Sequence, residues 1–176
     1  MKGVFFFLGE LTDEDIDWMI KFGQKQHLNV GDDLVREGKP LDKMHLILDG
    51  DFGFRAERLG GKDVARIGVG EVVGEVSFID SRPPSGTVTA RTPGQVLSLP
   101  LPTLAAKLKV DLGFAARFYR ALAMMLAYRL RAQRLPKEGV TAPEPEPSDQ
   151  LDMNVLDNVH LAGARFQRIL ARLHSI

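Results

Sequence analysis

The residue types best suited to chemistry lie between Gly68 and Thr87. Gly70-Glu71-Val72-Val73-Gly74-Glu75-Val76-Ser77-Phe78 reads as a strand that stops at a glycine and feeds a one-turn helix from Glu75 to Phe78. The first N–H groups of a helix have no partner inside it, so they suit a phosphate. Gly74 lacks a Cβ and lets a ligand approach the backbone closely. The returning Ser85-Gly86-Thr87 adds backbone donors and two hydroxyls. The plainer reading is that these glycines are turns of a β-barrel. Gly68, Gly70 and Gly74 do not fit the dinucleotide spacing G-x-G-x-x-G.

Other chemistry is poorly supplied. The chain has no cysteine, which excludes disulfides and thiolate metal sites and fits a cytoplasmic protein. His27, His45, His160 and His174 are scattered without ligand spacing, and His45 falls in a strand pattern. Asp13, Glu14, Asp15 and Asp17 read as a helix start favoured by the macrodipole, not as a metal site. Ser77 and Ser85 have no histidine that the sequence places beside them. The expectation is that this is not an enzyme. Lys+Arg and Asp+Glu are both 23, so no global positive field holds a polyanion. The apolar run Val4-Phe5-Phe6-Phe7-Leu8 is too short for a signal peptide or a membrane span and reads as the lead-in to a helix.

The elements that position these residues follow from the change of period along the chain. Thr12 to Asp15 reads as a capping box, and Ile16, Met19, Ile20 and Gly23 carry a helix to about Gln26. Short apolar runs between glycine turns then indicate a barrel or sandwich. Met44–Leu48 and Phe52–Ala56 are expected to pair across Asp49-Gly50, Gly60-Gly61 to make a tight hairpin turn, and 87–91 to pair with 95–99. Helical spacing returns over 103–110 and 111–134. The long helix has two apolar stripes, one of them Tyr119, Ala123, Leu126 and Leu130. The second stripe belongs either to a wide buried face or to a partner, and a homodimer through 111–134 is the expectation. Residues 135–150 hold four prolines and clustered acids and read as a linker. Residues 151–176 read as an amphipathic helix, too short for its own core, that docks on the barrel, a second subunit or another protein. Its Arg165, Arg168 and Arg172 form a basic face, either solvated or available to DNA; the solvated reading is preferred, with no DNA partner and no membrane.

The order helix, eight short strands, short helix, long helix resembles the cyclic-nucleotide-binding domain, the ligand-binding half of the cyclic AMP receptor protein and of protein kinase A regulatory subunits. The resemblance covers about 11–134 and rests on Gly31, Leu34 to Gly38, Met44 to Gly53 and, most specifically, Gly70 to Phe78, which is similar to the family's phosphate-binding cassette. It implies a mainly β fold with flanking helices (α+β), a jelly-roll barrel over 1–134. It also implies that Glu75 accepts from a ribose 2′-hydroxyl. The ligand-binding residues expected are Gly74, Glu75, Val76, Ser85, Gly86 and Thr87. One departure matters. The family's phosphate-clamping arginine falls on Pro84 or Ser85 here, and Arg82 is separated from the loop by Pro83-Pro84. A lost bidentate clamp costs about 3 kcal/mol, on the order of 100-fold in affinity. No cofactor is certain, and a cyclic nucleotide is expected to bind weakly. The expectation is a non-enzymatic regulatory module for a small phosphate-containing ligand. The alternative is a ligand-free interaction protein that dimerises by its long helix and docks a partner through 151–176. The 42 residues after Arg134 are expected to hold one long helix and not the winged helix-turn-helix of the receptor-protein type.

Overall fold

The structure, a computed structural model, describes residues 7–134 and 153–174. Helix α1 (Asp13–Phe22) starts as the capping box requires. Thr12 Oγ1 accepts from Asp15 N–H, and Asp15 Oδ2 accepts from Thr12 N–H at 2.8 Å. It ends earlier than the spacing predicts. Gly23 N–H closes on Met19 O at 2.8 Å, and β1 (Gln24–Leu28) begins directly afterwards. Gln26 is therefore a strand residue, because pairing with β8 outweighs one more helical turn.

Eight strands form two four-stranded antiparallel sheets. One sheet is ordered β1-β8-β3-β6 and the other β2-β7-β4-β5. The remaining strands are β2 (Asp33–Val35), β3 (Lys43–Asp49), β4 (Phe52–Arg55), β5 (Asp63–Ile67), β6 (Val72–Val73), β7 (Thr87–Ala90) and β8 (Gly94–Pro100). Two expected pairings and one expected turn are corrected. β3 pairs with β6 and β8, not with β4, because the turn at Asp49-Gly50 carries the chain into the opposite sheet. β7 and β8 are likewise in different sheets. Gly60-Gly61 does not make a two-residue turn; a 3-10 turn, Glu57–Leu59, lengthens the β4–β5 connection. Local alternation alone does not distinguish a hairpin from a jump between sheets.

Strand periodicity sorts the core into two layers. Ile47, Phe52, Val73, Val88 and Val96 fill the barrel between the sheets. Met44, Leu46, Leu48, Leu97 and Leu99 face the helices. Helices α2 (Glu75–Asp80), α3 (Leu101–Val110), α4 (Leu112–Arg134) and α5 (Met153–His174) follow, and residues 7–10 are also helical ahead of α1. Phe114, Phe118, Leu122 and Met125 of α4 are fully buried on this outer layer.

The C-terminal helix docks on its own domain. Ala162, Ile169 and Leu173 of α5 are buried in the outer core, with Phe166 and Leu170 against it. Lys25 Nζ donates to Leu173 O at 2.7 Å. Arg165 pairs with Asp13 and donates to Leu8 O and Gly9 O, while Arg168 and Arg172 pair with Asp17. The basic face read from the sequence is thus neutralised by the acidic start of α1. The linker expected over 135–150, the first six residues and the side chains of Val155 and Val159 lie outside the described residues. No helix among the described residues is long and apolar enough to cross a membrane.

Candidate functional site

β6, α2 and the return loop before β7 enclose a cavity of about 270 Å³. Its walls include Val35 and Phe54 from β2 and β4, Val73 from β6, and Val88 from β7. Gly74, Glu75, Val76 and Ser77 line one end, and Arg82 to Gly86 line the rim. Arg129 reaches in from α4. The volume is just below the roughly 300–1,000 Å³ typical of ligand pockets.

Gly74 links β6 to α2 in the left-handed region, at φ 94°. That angle is what calls for glycine; a Cβ there would also fall 2.6 Å from Leu41 Cδ2, the end of a side chain that would have to shift. Gly86 is required by packing: a Cβ would lie 2.3 Å from the Phe54 ring. These glycines shape the cavity wall whether or not a ligand approaches them.

Five of the six residues picked from the sequence line the cavity: Gly74, Glu75, Val76, Ser85 and Gly86. Thr87 stands apart. In β7, Val88 faces the cavity, so Thr87 falls on the other face. Its Oγ1 accepts from Glu37 N–H at 3.1 Å. Pro84 occupies the rim, and its carbonyl accepts from Gly38 N–H at 2.9 Å. Arg82 is exposed, and its backbone N–H donates to Asp80 Oδ1 at 3.0 Å.

Glu75 is only 5% exposed. Arg129 Nη1 donates to Glu75 Oε1, and Arg129 Nη2 donates to Val72 O at 2.7 Å. Burial pushes the Glu75 carboxyl above its ordinary value; the Arg129 charge and the residue's own backbone N–H oppose this without cancelling it. Sequence reasoning did not assign Arg129 to the site. It is one of several arginines on a helical face, and no local spacing links it to a loop so distant in sequence. The available signal was indirect: a buried acidic position in the cassette whose loop offered no cation.

A second buried polar set lies inside the barrel. His45 Nδ1 is 2.8 Å from Ser98 Oγ, and Ser98 Oγ donates to Gln26 Oε1 at 2.7 Å. Because the serine proton goes to Gln26, the His45 Nδ1 carries the hydrogen shared with Ser98. Burial, with the nearby Lys43 charge, lowers His45 to about 4, so the ring is neutral at pH 7. This triad joins β1, β8 and β3 and does not line the cavity. No cluster of three or more His, Cys, Asp or Glu suited to a metal occurs among the described residues.

Residues 25–111 match the family model described as the cyclic nucleotide-binding domain. Among solved structures, the chain is similar to a cyclic nucleotide-binding domain from Methylobacillus flagellatus, with 23% identity, a TM-score of 0.64, and coverage of 73% of this chain and 78% of that one. It is also similar to the N-terminal domain of a transcriptional regulator from Streptomyces coelicolor, with 26% identity, a TM-score of 0.60, and coverage of 76% and 94%. A curated relative, glutaminase 2 of Bradyrhizobium diazoefficiens, is 29% identical over 125 residues, which are 71% of this chain. The match spans only 20% of that relative's length.

Proposed function

We propose that this chain, whose residues 25–111 belong to the cyclic nucleotide-binding domain family, is a non-enzymatic regulatory module that takes a small phosphate-containing ligand in the Glu75 cavity with weakened affinity. The observation that carries the reading is Glu75 itself. A carboxylate 5% exposed, at the end of a cavity and raised by burial, is costly unless something uses it. Carried over from the family, its partner is a ligand hydroxyl. Gly74, Val76, Ser85 and Gly86 support a phosphate nearby. Pro84 supports the weakness, because it stands where the family's arginine falls, and Arg82 on the same loop is exposed at the rim.

A thermal-shift panel of cyclic mono- and dinucleotides tests this reading. A ligand held in the cavity raises Tm by mass action, and Glu75→Ala removes the rise. Low-micromolar binding of cyclic AMP or cyclic GMP by calorimetry contradicts the weak-affinity part. A flat panel contradicts the ligand itself.

One observation favours the alternative of an interaction protein. Tyr119 is 49% exposed and Leu130 51%, with Ala123 exposed between them, so much of the second stripe of α4 faces outward, although Tyr119 also stacks on Phe78 and Leu126 is half-buried. A homodimer through this stripe is the partner reading it supports. The apolar face of α5 is already used within the domain, which weakens the case for a protein partner at 151–176.

A further inference from the structure

We propose that the Arg129–Glu75 pair acts as a two-part selector: it yields to a ligand that carries an anionic group for Arg129 and a hydroxyl donor for Glu75 together, and resists a ligand that carries only one of them. This deepens the reading above and rests on it.

Two arginines line the cavity, Arg82 and Arg129. Arg82 is exposed on the rim, where water competes for its charge. Arg129 is held inside by Glu75 and by Val72 O, with its side chain 28% exposed. The cation absent from the loop is therefore present in the cavity, delivered by α4.

The selectivity follows from the cost of splitting a buried ion pair. Removing one partner leaves the other as an uncompensated charge in a poorly solvated place. An anion alone takes Arg129 but leaves Glu75 either facing a second negative charge or having to take up a proton, and both cost binding energy. A hydroxyl alone reaches Glu75 but gives Arg129 nothing in return. A ligand with both groups inserts between the two side chains and satisfies each. Because Arg129 belongs to α4 and also bonds β6, the exchange acts directly on the helix that carries the exposed stripe.

The probes are cyclic AMP, which has both groups, 2′-deoxy cyclic AMP, which keeps the anion, and adenosine, which keeps the hydroxyls. Affinities are read by calorimetry, with ligand-observed NMR for the weak cases. For the wild type, each stripped analogue is expected to bind at least about tenfold more weakly than cyclic AMP, since a charge-assisted hydrogen bond contributes that much or more. Arg129→Gln is expected to lower cyclic AMP affinity by at least about tenfold, with partial recovery in Arg129→Lys and less than about a threefold change in Arg82→Gln. Adenosine affinity should not fall in Arg129→Gln. Circular dichroism checks that each variant is folded.

Cyclic AMP binding that is unchanged in Arg129→Gln overturns the inference and leaves the cavity reading standing, provided Glu75→Ala still abolishes it. Equal losses for adenosine and cyclic AMP also overturn it, since they mark a structural role. Loss in Arg82→Gln with none in Arg129→Gln assigns the cation to the rim instead. A wild type that binds no cyclic AMP overturns the inference, while the nucleotide panel decides the functional reading separately.

Discussion

Helix α4 reaches a buried carboxylate near each of its ends, and the two pairs differ in kind. Near its start, Arg117 grips Asp15 with two hydrogen bonds, Nε to Oδ2 at 2.7 Å and Nη2 to Oδ1 at 2.9 Å. Asp15 also closes the capping box of α1. Burial pushes Asp15 up, but Arg117 and Thr12 more than offset it, and the carboxyl ends below its ordinary value. Near the other end, Arg129 divides its donors between Glu75 and a backbone carbonyl. There burial outweighs the cation, and the carboxyl ends above its ordinary value. The first pair is a saturated staple between helices. The second is an under-compensated pair facing a cavity, the arrangement expected of a group that exchanges partners.

The contrast predicts unequal costs of truncation. Arg117→Ala should cost about 2 kcal/mol in urea unfolding, less than a fully buried pair because Arg117 is partly exposed. Arg129→Ala should cost about half as much, because Glu75 is already inclined to take up a proton when its partner leaves. Equal losses would break the distinction between staple and exchangeable pair.

The two carboxylates should also give stability slopes of opposite sign. Asp15, lowered in the fold, contributes stability above the unfolded carboxylate range that disappears as pH falls through its folded pKa. Glu75, raised in the fold, binds a proton more readily when folded, so stability falls as pH rises from about 4.5 through its folded pKa. Asp15→Asn should therefore flatten the acid limb, and Glu75→Gln should flatten the decline above 4.5. Each slope is at most about 1.4 kcal/mol per pH unit for one proton. His45 adds a limb of the same sign as Asp15. Its contribution is complete above pH 6.5 and is lost as pH falls toward 4. Each variant must be compared with the wild type at every pH. Slopes of the same sign for Asp15→Asn and Glu75→Gln would remove the contrast.

The smallest effects belong to the surface pairs that fasten α5. Arg165 is well covered and also bonds Leu8 O and Gly9 O, so Arg165→Ala should cost about 1 kcal/mol. Arg172, more than half exposed, should cost less than about 0.5 kcal/mol on truncation, and less again in high salt. A reversal of that order would show that α5 is held by charge more than by its apolar face.

How much of this the sequence disclosed depends on the range of the interaction. Local chemistry was legible: the Thr12–Asp15 box, the glycine before α2 and the helical spacing of α4 all appear as written. Glu75, Gly74 and Gly86 were placed by a short motif whose geometry is set within a few residues. Pairing across the barrel was not legible, since a turn such as Asp49-Gly50 reads the same whether its strands share a sheet or leave it. Arg129 was not legible for the same reason. Its meaning depends on where a helix returns after the barrel closes, and on a vacancy at Pro84 far away in sequence. The dock of α5 was left open because an amphipathic helix advertises its apolar face and not the surface that receives it.

The rim proline has a consequence in genetic terms. What Pro84 gives the loop is a carbonyl for Gly38, which any residue offers. Every proline codon becomes an arginine codon by one base change, at its second position. A loop guanidinium is thus a single nucleotide away from a cavity that already holds the Arg129 side chain.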